Sequence, residues 1–472
     1  MALLVAGAFF MENLDGTIIA TAAPSMAASL GVRSVDINIT MTAYLLTLAV
    51  FIPVSGWIAD RFGARSVFGA AIALFTVASA LCAISTSLPE LTAMRVVQGI
   101  GGAMMVPVGR LVVLRSTAKS DLINAIAYLT WPALVAPILA PVLGGVFTTY
   151  ASWRWIFVVN LPLGAVGLAI ALRIVPNVRD AGRPRLDWLG FVLSGGGLAL
   201  LVYGLERVSG AQIDWAIVGL TVGIGGVLLG IAVAHLLRRD RPLLDLRTMR
   251  VQTFRVTNLS GSFFRMAITA VPFLLPLMFQ DAFGWGSLKS GLVVIAVFFG
   301  NIGIKPFTTR ILRRWGFRTV LITMGISASV SLALCGVLVA GTPLVLTALV
   351  LFASGVFRSM SFTAYNTITF ADIEPAQMTG ANTLASTIQQ LTMGLGVAVG
   401  ALALRLGGPL AAPIGLGHSP VAPYHLAFLL IAILPLLALF GSLRLPRDAG
   451  AHLSGPARTA SRRRSGTAPA DA

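Results

Sequence analysis

Charge and cysteine are both scarce in this chain of 472 residues. Only 11% of its residues are charged and 57% are apolar, with a mean hydropathy of +0.88, whereas about a quarter of an ordinary soluble domain is charged. This composition predicts an all-α polytopic membrane protein and argues against a large soluble core. Cys82 and Cys335 lie within apolar runs, so we expect small packing residues and no disulfide framework.

The sequence also lacks the signatures of enzymes and nucleotide-binding proteins. Its four histidines have no metal-ligand spacing, and no Ser/His/Asp or Cys/His set is evident. The glycine clusters at Ser194–Gly197 and Gly223–Gly226 lack the Lys-Ser/Thr pair that follows a phosphate-binding loop. We therefore expect no catalytic residue, no metal and no cofactor. A membrane-embedded enzyme or a sensor is a remote alternative.

Runs of about twenty apolar residues alternate with charged or turn-forming clusters along the chain. A run of this length crosses the hydrocarbon core of a bilayer as one α-helix. The pattern predicts fourteen transmembrane helices, near residues 2–26, 37–59, 66–86, 91–114, 122–148, 155–175, 188–206, 214–237, 256–279, 288–309, 319–340, 344–366, 381–404 and 424–443. An even number of helices places both termini on one side of the membrane.

The net charge of +17 is distributed unevenly over the connections between these spans. Of the 34 Lys and Arg residues, 25 lie in alternate connections and the C-terminal tail, and five lie in the intervening connections. The other four lie inside spans: Arg95, Arg265, Lys305 and Arg358. Connections rich in Lys and Arg stay on the cytoplasmic side of a membrane. We therefore expect cytoplasmic termini, a location in the bacterial inner (plasma) membrane and no nucleic-acid partner.

An internal repeat indicates two related halves. The segment GWIADRFGAR (Gly56–Arg65) follows the second span and TRILRRWGFR (Thr309–Arg318) follows the tenth, at an offset of 253 residues. Paired halves of membrane helices are a recurring plan among transporters. The predicted domains are an N-terminal six-helix bundle at 1–176, cytoplasmic loops with two additional helices at 177–252, a C-terminal six-helix bundle at 253–445, and a basic, disordered cytoplasmic tail at 446–472 that could contact anionic lipid.

Two acids, Glu12 and Asp15, interrupt the first apolar run. Because they are three residues apart, their side chains share one helical face. A carboxylate at the bilayer centre costs about 2.5–3.5 kcal/mol even on insertion scales, so such residues normally face a polar cavity or a partner. The position favours a protonatable site on a transport pathway. A structural ion pair, or a helix end near the membrane surface, stays open as the alternative.

Six further segments carry a resemblance to a known family. They are LDGTIIATAAP (Leu14–Pro24), GWIADRFGAR, RVVQGIGGAMMVPVGR (Arg95–Arg110), APILAPVLGG (Ala136–Gly145), WRWIFVVNLPLG (Trp153–Gly164) and FTAYNTITFAD (Phe362–Asp372). In this order they resemble the motifs of the major facilitator superfamily, in its fourteen-helix branch of proton-coupled drug antiporters. The resemblance covers nearly the whole chain. It implies two six-helix bundles joined by two additional helices, a monomer in lipid, and export of a small molecule driven by the proton gradient.

The resemblance also implies roles for individual residues. Asp15 corresponds to the conserved acid of the first helix and is the first choice for proton coupling, with Glu12 as assistant or substrate contact and Arg95 as the arginine that faces the acid. The loop after the second helix supplies a conformational contact, through Gly56, Asp60, Arg61, Gly63 and Arg65. The fifth helix resembles the antiporter helix, with Pro137, Pro141, Gly144 and Gly145, although Ala136 stands where the family usually has glycine.

These residue types also suit the proposed roles on physical grounds. Proline bends a helix and glycine lets a neighbouring backbone approach, so the fifth helix could seal one entrance while the other opens. Ordinary small-residue packing is the alternative. The C-terminal half contributes three basic residues to a candidate substrate cavity: Arg265, Lys305 and Arg358. Because like charges repel, this trio favours an organic anion or metabolite as cargo, against the amphiphilic drug that the resemblance favours. Snorkelling of Lys305 or Arg358 to the membrane surface stays open.

Overall fold

The computed structural model describes residues 1–177, 185–209, 213–411 and 419–453, and every regular element within these residues is a helix. Helices satisfy all their backbone hydrogen bonds internally, which a segment inside lipid must do. The prediction of an all-α membrane protein is confirmed.

The helices fall into two sets that flank a central pair. The N-terminal half contains α1 (Ala2–Leu30), α2 (Asn38–Phe51), α3 (Ser55–Phe62), α4 (Ala64–Ile84), α5 (Leu88–Ser116), α6 (Leu122–Tyr150), α7 (Trp155–Val158) and α8 (Asn160–Ile174). The central pair is α9 (Trp188–Ser209) and α10 (Trp215–Arg238). The C-terminal half contains α11 (Gln252–Leu277), α12 (Ser287–Gly303), α13 (Lys305–Trp315), α14 (Phe317–Cys335), α15 (Leu344–Ile368), α16 (Met378–Ala411) and α17 (Ala422–Arg444).

Each predicted span coincides with a helix or a broken helix. Among the described residues, 12 helical segments are long and apolar enough to cross a membrane, and the pair α12 and α13, bent by 51°, makes a thirteenth. The remaining predicted span, at 122–148, coincides with α6, which has 29 residues. A short 3₁₀ turn, Ile52–Val54, joins α2 to α3 within one span. The total of fourteen spans stays a prediction.

Close helix packing holds each half together. In the N-terminal half α1 packs along α6, and α5 packs on α2 and α4; in the C-terminal half α11 packs on α16 and α17, and α12 on α15. The crossing of α12 and α15 depends on two glycines, because a Cβ atom at Gly300 would overlap the Phe352 carbonyl and one at Gly355 the Val297 carbonyl. Small residues at such crossings let membrane helices approach closely.

The central pair of helices lies against both halves. Helix α10 packs on α9, and α9 packs on α2 of the N-terminal half and on α16 of the C-terminal half. At the start of α9, Asp187 Oδ1 accepts a hydrogen bond from Gly190 N at 3.1 Å and lies 2.9 Å from Nε2 of His235, at the end of α10. Burial of Asp187 opposes ionisation, but the hydrogen bonds from His235, Gly190 N and Leu243 N together with the charge of His235 outweigh it and hold the pKa of the Asp187 carboxyl below its usual value.

One hydrophobic cluster joins the two halves at one end of the molecule. It contains side chains of both halves, among them Val5, Phe9, Val108, Leu111, Phe254, Phe264, Tyr365 and Phe370. We call this end, which carries the loop around Gly63, the closed end. Towards the opposite end each half has its own cluster, built around Ile18 and Phe157 in one half and Leu274 and Phe279 in the other. The halves are therefore sealed together at the closed end.

The start of the predicted disordered tail is ordered. Residues 446–453 form a turn followed by the 3₁₀ helix Ala451–Leu453, and the side chain of Leu453 is fully buried. Gly450 has a positive φ of 71°, which glycine adopts without strain, and it lies against the ring of Phe317. The expectation of disorder is therefore wrong for residues 446–453. The rest of the predicted tail, 454–472, lies outside the described residues.

Candidate functional site

An ion pair between Asp15 of α1 and Arg95 of α5 lies inside the N-terminal half. Nη1 of Arg95 donates a hydrogen bond to Oδ2 of Asp15, and both side chains have no exposed surface. The structure thus brings together the two residues that the family resemblance pairs. Removing one partner of a buried pair costs about 3–5 kcal/mol, because the other charge is left uncompensated.

Two amide side chains complete the surroundings of the Asp15 carboxylate. Nε2 of Gln98 and Nδ2 of Asn160 donate to Oδ1 of Asp15 at 3.0 Å and 3.1 Å. Asn160 also donates to Ser79 Oγ at 3.0 Å, and Arg95 donates to Gln98 Oε1 at 2.7 Å. Both carboxylate oxygens of Asp15 therefore have hydrogen-bond donors inside the bundle.

Gln98, Asn160 and Ser79 were not predicted from the sequence as site residues. Gln98 and Asn160 nevertheless lie within the quoted segments RVVQGIGG and WIFVVNLPLG, where each is a polar residue inside an apolar run. Because buried polar side chains need hydrogen-bond partners, an amide side chain inside an apolar run is the sequence feature that could have identified these residues.

Arg95 does not use all its hydrogen-bond donors within the described residues. Its Nε and Nη2 atoms are buried and have no hydrogen-bond partner among the described residues. The guanidinium carbon lies 4.3 Å from the ring centroid of Tyr44 on α2, which is a cation–π distance. Arg95 is therefore held partly by an aromatic face, and it has free N–H groups with which to exchange partners.

Glu12 occupies a different environment from Asp15, although only three residues separate them. Its side chain is half-buried, and Oε2 has no hydrogen-bond partner among the described residues. It interacts electrostatically with Asp15 on α1 and with Arg110 on α5. Asp15 is therefore enclosed in the N-terminal bundle, while Glu12 interacts electrostatically with a cation that contacts the other half.

The conformational loop lies where α3 meets the start of α16. Oδ1 of Asp60 accepts hydrogen bonds from Arg115 Nη2 and from Thr379 Oγ1, both at 3.1 Å, and Arg115 also donates to Thr379. Since Thr379 is in the first turn of α16, the Asp60 carboxylate also lies at the positive end of that helix. Asp60 therefore links the two halves at the closed end.

The other loop residues shape or surround this contact. Gly63 has a φ of 93° and separates α3 from α4, a conformation that favours glycine. The Arg61 guanidinium lies over the ring of Trp57 at 5.7 Å, and Arg65 lies half-buried in the first turn of α4. A Cβ atom at Gly56 would overlap Thr383 Oγ1 and lie 3.3 Å from Thr383 Cβ. Gly56 thus lets α3 lie directly against α16.

The predicted antiporter helix is α6, which packs along α1. Pro137 and Pro141 lie within α6, and the contacts of their side chains fall outside the described part of the structure. Of the two adjacent glycines, Gly144 packs against Thr21 and Ile18 of α1, whereas a Cβ atom at Gly145 would meet no atom within 4 Å. The close approach of α1 and α6 therefore depends on Gly144.

The two glycines form a matched pair for a mutational test. We expect Gly144→Val to lower the midpoint of thermal unfolding in detergent, because overpacking against Thr21 costs about 1–3 kcal/mol. Gly145→Val should leave the midpoint unchanged. Adding Thr21→Ala should recover part of the loss in Gly144→Val. Equal midpoints for the two glycine variants would contradict the assigned packing.

The three basic residues of the C-terminal half are anchored by uncharged oxygens. Arg265 Nη1 donates to Thr257 O at 3.0 Å, Arg358 Nη2 to Ile268 O at 2.9 Å, and Lys305 Nζ to Thr363 Oγ1 at 2.7 Å. Nε of Arg265 and both Nε and Nη1 of Arg358 are buried and lack hydrogen-bond partners among the described residues. The two arginines therefore carry donors that an anion could accept.

Arg110 connects the halves, a contact that was not predicted from the sequence. Its Nε donates to Asn382 Oδ1 at 2.8 Å, its Nη1 to Gln389 Oε1 at 3.2 Å, and its Nη2 to Ser386 Oγ. The three acceptors lie on one face of α16, at the helical spacing i, i+4, i+7. That polar stripe in an apolar span was the signal for this contact.

Comparisons with known proteins agree with this architecture. A family model described as Major Facilitator Superfamily matches residues 5–397 and 257–468. Proteins named "Putative multidrug resistance protein MdtD" from Citrobacter koseri and Escherichia coli strain 55989 are each 38% identical, over 450 and 449 residues, and the matches cover 94% of each chain. The resemblance to drug exporters of this kind, predicted from the motifs, is confirmed.

Two solved structures share the fold at low sequence identity. The human organic anion transporter MFSD10 (TETRAN) superposes with a TM-score of 0.64 at 15% identity, covering 93% of this chain and 98% of that one. The proton:xylose symporter XylE superposes with a TM-score of 0.61 at 13% identity, covering 95% and 96%. At these identities the similarity shows that the helices are arranged in the same fold.

Proposed function

Because the chain belongs to the Major Facilitator Superfamily, we propose that it is a secondary active exporter that moves small amphiphilic compounds across the membrane by proton antiport. As a member of this family it is a transporter and not an enzyme. The multidrug resistance named for its relatives supports a broad range of cargo.

The buried pair of Asp15 and Arg95 is the observation that carries the proton step. Asp15 is surrounded by Arg95, Gln98 and Asn160 inside an apolar bundle, so its charge is stabilised only while these donors point at it. Protonation of Asp15 would release Arg95, whose spare N–H groups could take other partners. A carrier whose two states differ in this contact couples proton binding to its conformation.

The closed end supports alternating access. Asp60, Arg110 and the hydrophobic cluster join the halves at this end, while each half keeps its own cluster towards the other end. Rocking of paired halves about a central site is the usual way such folds expose cargo to each side in turn. The charge asymmetry of the connections supports cytoplasmic termini, and with them a closed end that faces the cytoplasm.

Organic anions are a second candidate class of cargo. The buried, unpartnered N–H groups of Arg265 and Arg358 favour this reading, since a carboxylate or phosphate could accept them. A cationic drug, by contrast, would be repelled by these side chains and attracted by Glu12.

Proton release from the purified protein tests the proposal. Cationic dyes and organic acids are added one at a time to weakly buffered protein, and we expect a transported compound to displace a proton. Arg265→Ala should weaken the binding of an anionic cargo by about 2–5 kcal/mol and should not weaken the binding of a cationic one. Uptake of the same compounds into acidified inside-out vesicles checks the direction of transport. Access of a protease to the C-terminal tail checks on which side of the membrane the tail lies. If no compound in either class releases a proton or accumulates, the proposed antiport is wrong.

A further inference from the structure

The second copy of the repeated segment, in α13, differs from the first copy, in α3, at a central position. Both copies end a short helix at a glycine with a positive φ, which is 93° at Gly63 and 74° at Gly316. At the offset of 253 residues, however, Arg313 stands where the first copy has Asp60. An arginine cannot accept the hydrogen bonds with which Asp60 links the halves. The second copy must therefore have a different role.

Helix α13 turns away from the span that precedes it. It makes an angle of 51° with α12, and Pro306 lies in its first turn, where the missing N–H group costs no hydrogen bond. Lys305 Nζ donates to Thr363 Oγ1 at 2.7 Å, which fixes the start of α13 on α15. Leu312 is buried in the hydrophobic cluster of the closed end. Helix α13 is thus held at the closed end by one face, while its other side chains point outwards.

A cavity of about 470 Å³ lies on one side of α13. Its lining residues, which we call the arginine cavity, are Pro306, Thr309, Arg310, Arg313 and Arg314. The three arginines are exposed and none of the five lining residues is acidic. Within the described residues, neither Arg310 nor Arg314 forms an ion pair. Guanidinium groups bind phosphate through paired hydrogen bonds, so the cavity suits a phosphate group.

An apolar line of three side chains runs along α13 beside this cavity. Phe307, Ile311 and Trp315 follow one another at the helical spacing i, i+4, i+8. Phe307 is 54% exposed and Trp315 is 49% exposed. Because residues three apart on a helix are neighbours, Arg310 lies beside Phe307 and Arg314 beside Ile311. An apolar line next to a row of basic residues is typical of a helix that lies in the surface of a membrane.

We propose that the arginine cavity binds the headgroup phosphate of an anionic phospholipid, whose acyl chains lie against the apolar line of α13. A phosphate dissolved in water would satisfy the arginines and leave the apolar line exposed, whereas a phospholipid covers both. A lipid with net negative charge is favoured over a zwitterionic one, because basic residues at a membrane surface attract anionic lipid. The proposal concerns a site separate from the cargo and does not depend on the proposed export.

The position of the cavity also places this lipid next to a contact between the halves. Thr309, which lines the cavity, donates a hydrogen bond from Oγ1 to Oδ1 of Asn124 on α6 at 2.6 Å. Helix α6 belongs to the N-terminal half and α13 to the C-terminal half. A headgroup bound in the arginine cavity therefore lies beside the junction of the two halves at the closed end.

Trp315 supplies a local reporter for lipid binding. The full-length protein is placed in vesicles of phosphatidylcholine that contain an increasing fraction of phosphatidylglycerol with brominated acyl chains, because bromine quenches tryptophan fluorescence on contact. The chain has eight tryptophans, so the signal of Trp315 is taken as the difference between each protein and the same protein with Trp315→Phe. We expect brominated phosphatidylglycerol to quench Trp315 at a far lower fraction than brominated phosphatidylcholine does.

The double variant Arg310→Gln and Arg314→Gln tests whether the arginines cause this preference. Each basic residue near an anionic lipid surface contributes about fivefold in affinity, so half-maximal quenching should require an about 25-fold higher fraction of phosphatidylglycerol. The double variant Arg310→Lys and Arg314→Lys keeps both charges and should retain most of the preference.

A matched double variant separates a local site from the overall charge of the protein. Arg238→Gln and Arg241→Gln removes two exposed arginines at the end of α10 and just after it. Its net charge equals that of the Arg310→Gln and Arg314→Gln protein, yet Trp315 should be quenched as in the wild type. The midpoints of thermal unfolding should be the same for both proteins, because all four side chains are exposed.

Three results would overturn the proposal. The first is equal quenching of Trp315 by brominated phosphatidylglycerol and brominated phosphatidylcholine. The second is an equal loss of preference in the two matched double variants, which would assign the effect to overall charge. The third is displacement of the lipid by inorganic phosphate added at constant ionic strength, which would make the arginine cavity a site for a water-soluble anion.

Discussion

Asp15→Asn is expected to abolish proton-driven accumulation of cargo while leaving downhill exchange measurable. The asparagine side chain cannot take up and release a proton, so the contact with Arg95 no longer depends on protonation. Without that dependence a pH gradient no longer drives cargo transport through this contact. In vesicles with an imposed pH gradient, the ratio of internal to external cargo should therefore stay at about 1, the value without coupling.

A matched acid and a conservative change make this result specific. Glu206 lies in α9 and accepts a hydrogen bond from Thr42 Oγ1 at 2.5 Å, away from Arg95. Glu206→Gln should accumulate cargo as the wild type does, and Asp15→Glu should keep partial coupling because its proton can still exchange. Since Asp15→Asn leaves Arg95 buried without a counter-charge, thermal unfolding should first show that the variant is folded. Accumulation at the wild-type level in a folded Asp15→Asn protein would assign coupling to another acid.

The sequence predicted the helices better than the contacts between them. Apolar run length is a local property, so the spans follow from composition alone. The break at Ile304–Lys305 was not predicted, although it lies inside the predicted span 288–309. The meeting of Asp15 with Arg95 was expected only through family resemblance. Local sequence does not predict which of several intramembrane cations faces a given acid, because that depends on how the helices rotate and cross.

The contacts missed by sequence are those that join distant segments. Arg110 meets Asn382, Ser386 and Gln389 through the packing of α5 on α16, which are separated by more than half the chain. The ordered residues 446–453 were missed for a similar reason: their composition is polar and glycine-containing, but Leu453 is buried once the chain folds back. Local composition predicts neither the contact of Arg110 with α16 nor the burial of Leu453, because both depend on surfaces formed by distant parts of the chain.

Gly56→Ala is expected to shift the equilibrium away from the closed end and to slow transport. The added Cβ atom would overlap Thr383 Oγ1 and lie 3.1 Å from Thr379 Cγ2, so α3 and α16 must separate. Overpacking of this kind costs about 1–3 kcal/mol, which corresponds to about a 5- to 150-fold change in the open-to-closed ratio. Within a helix, alanine is otherwise favoured over glycine by about 0.5–1 kcal/mol, so backbone propensity by itself stabilises α3 and would not account for an opening of the closed end.

Spin labels on Ala118→Cys and Gln377→Cys, exposed positions just after α5 and just before α16, measure this effect at fixed pH and identify its cause. Thr383→Ala removes the overlapping hydroxyl, so Gly56→Ala combined with Thr383→Ala should return most of the way to the closed distance. Gly230→Ala on α10, where a Cβ atom meets nothing within 4 Å, should leave the distances unchanged. If Gly56→Ala by itself keeps the closed distance, or if Thr383→Ala fails to rescue it, then the contact of α3 with α16 does not control closure, and the contacts of Asp60 and Arg110 with α16 must hold the halves together without it.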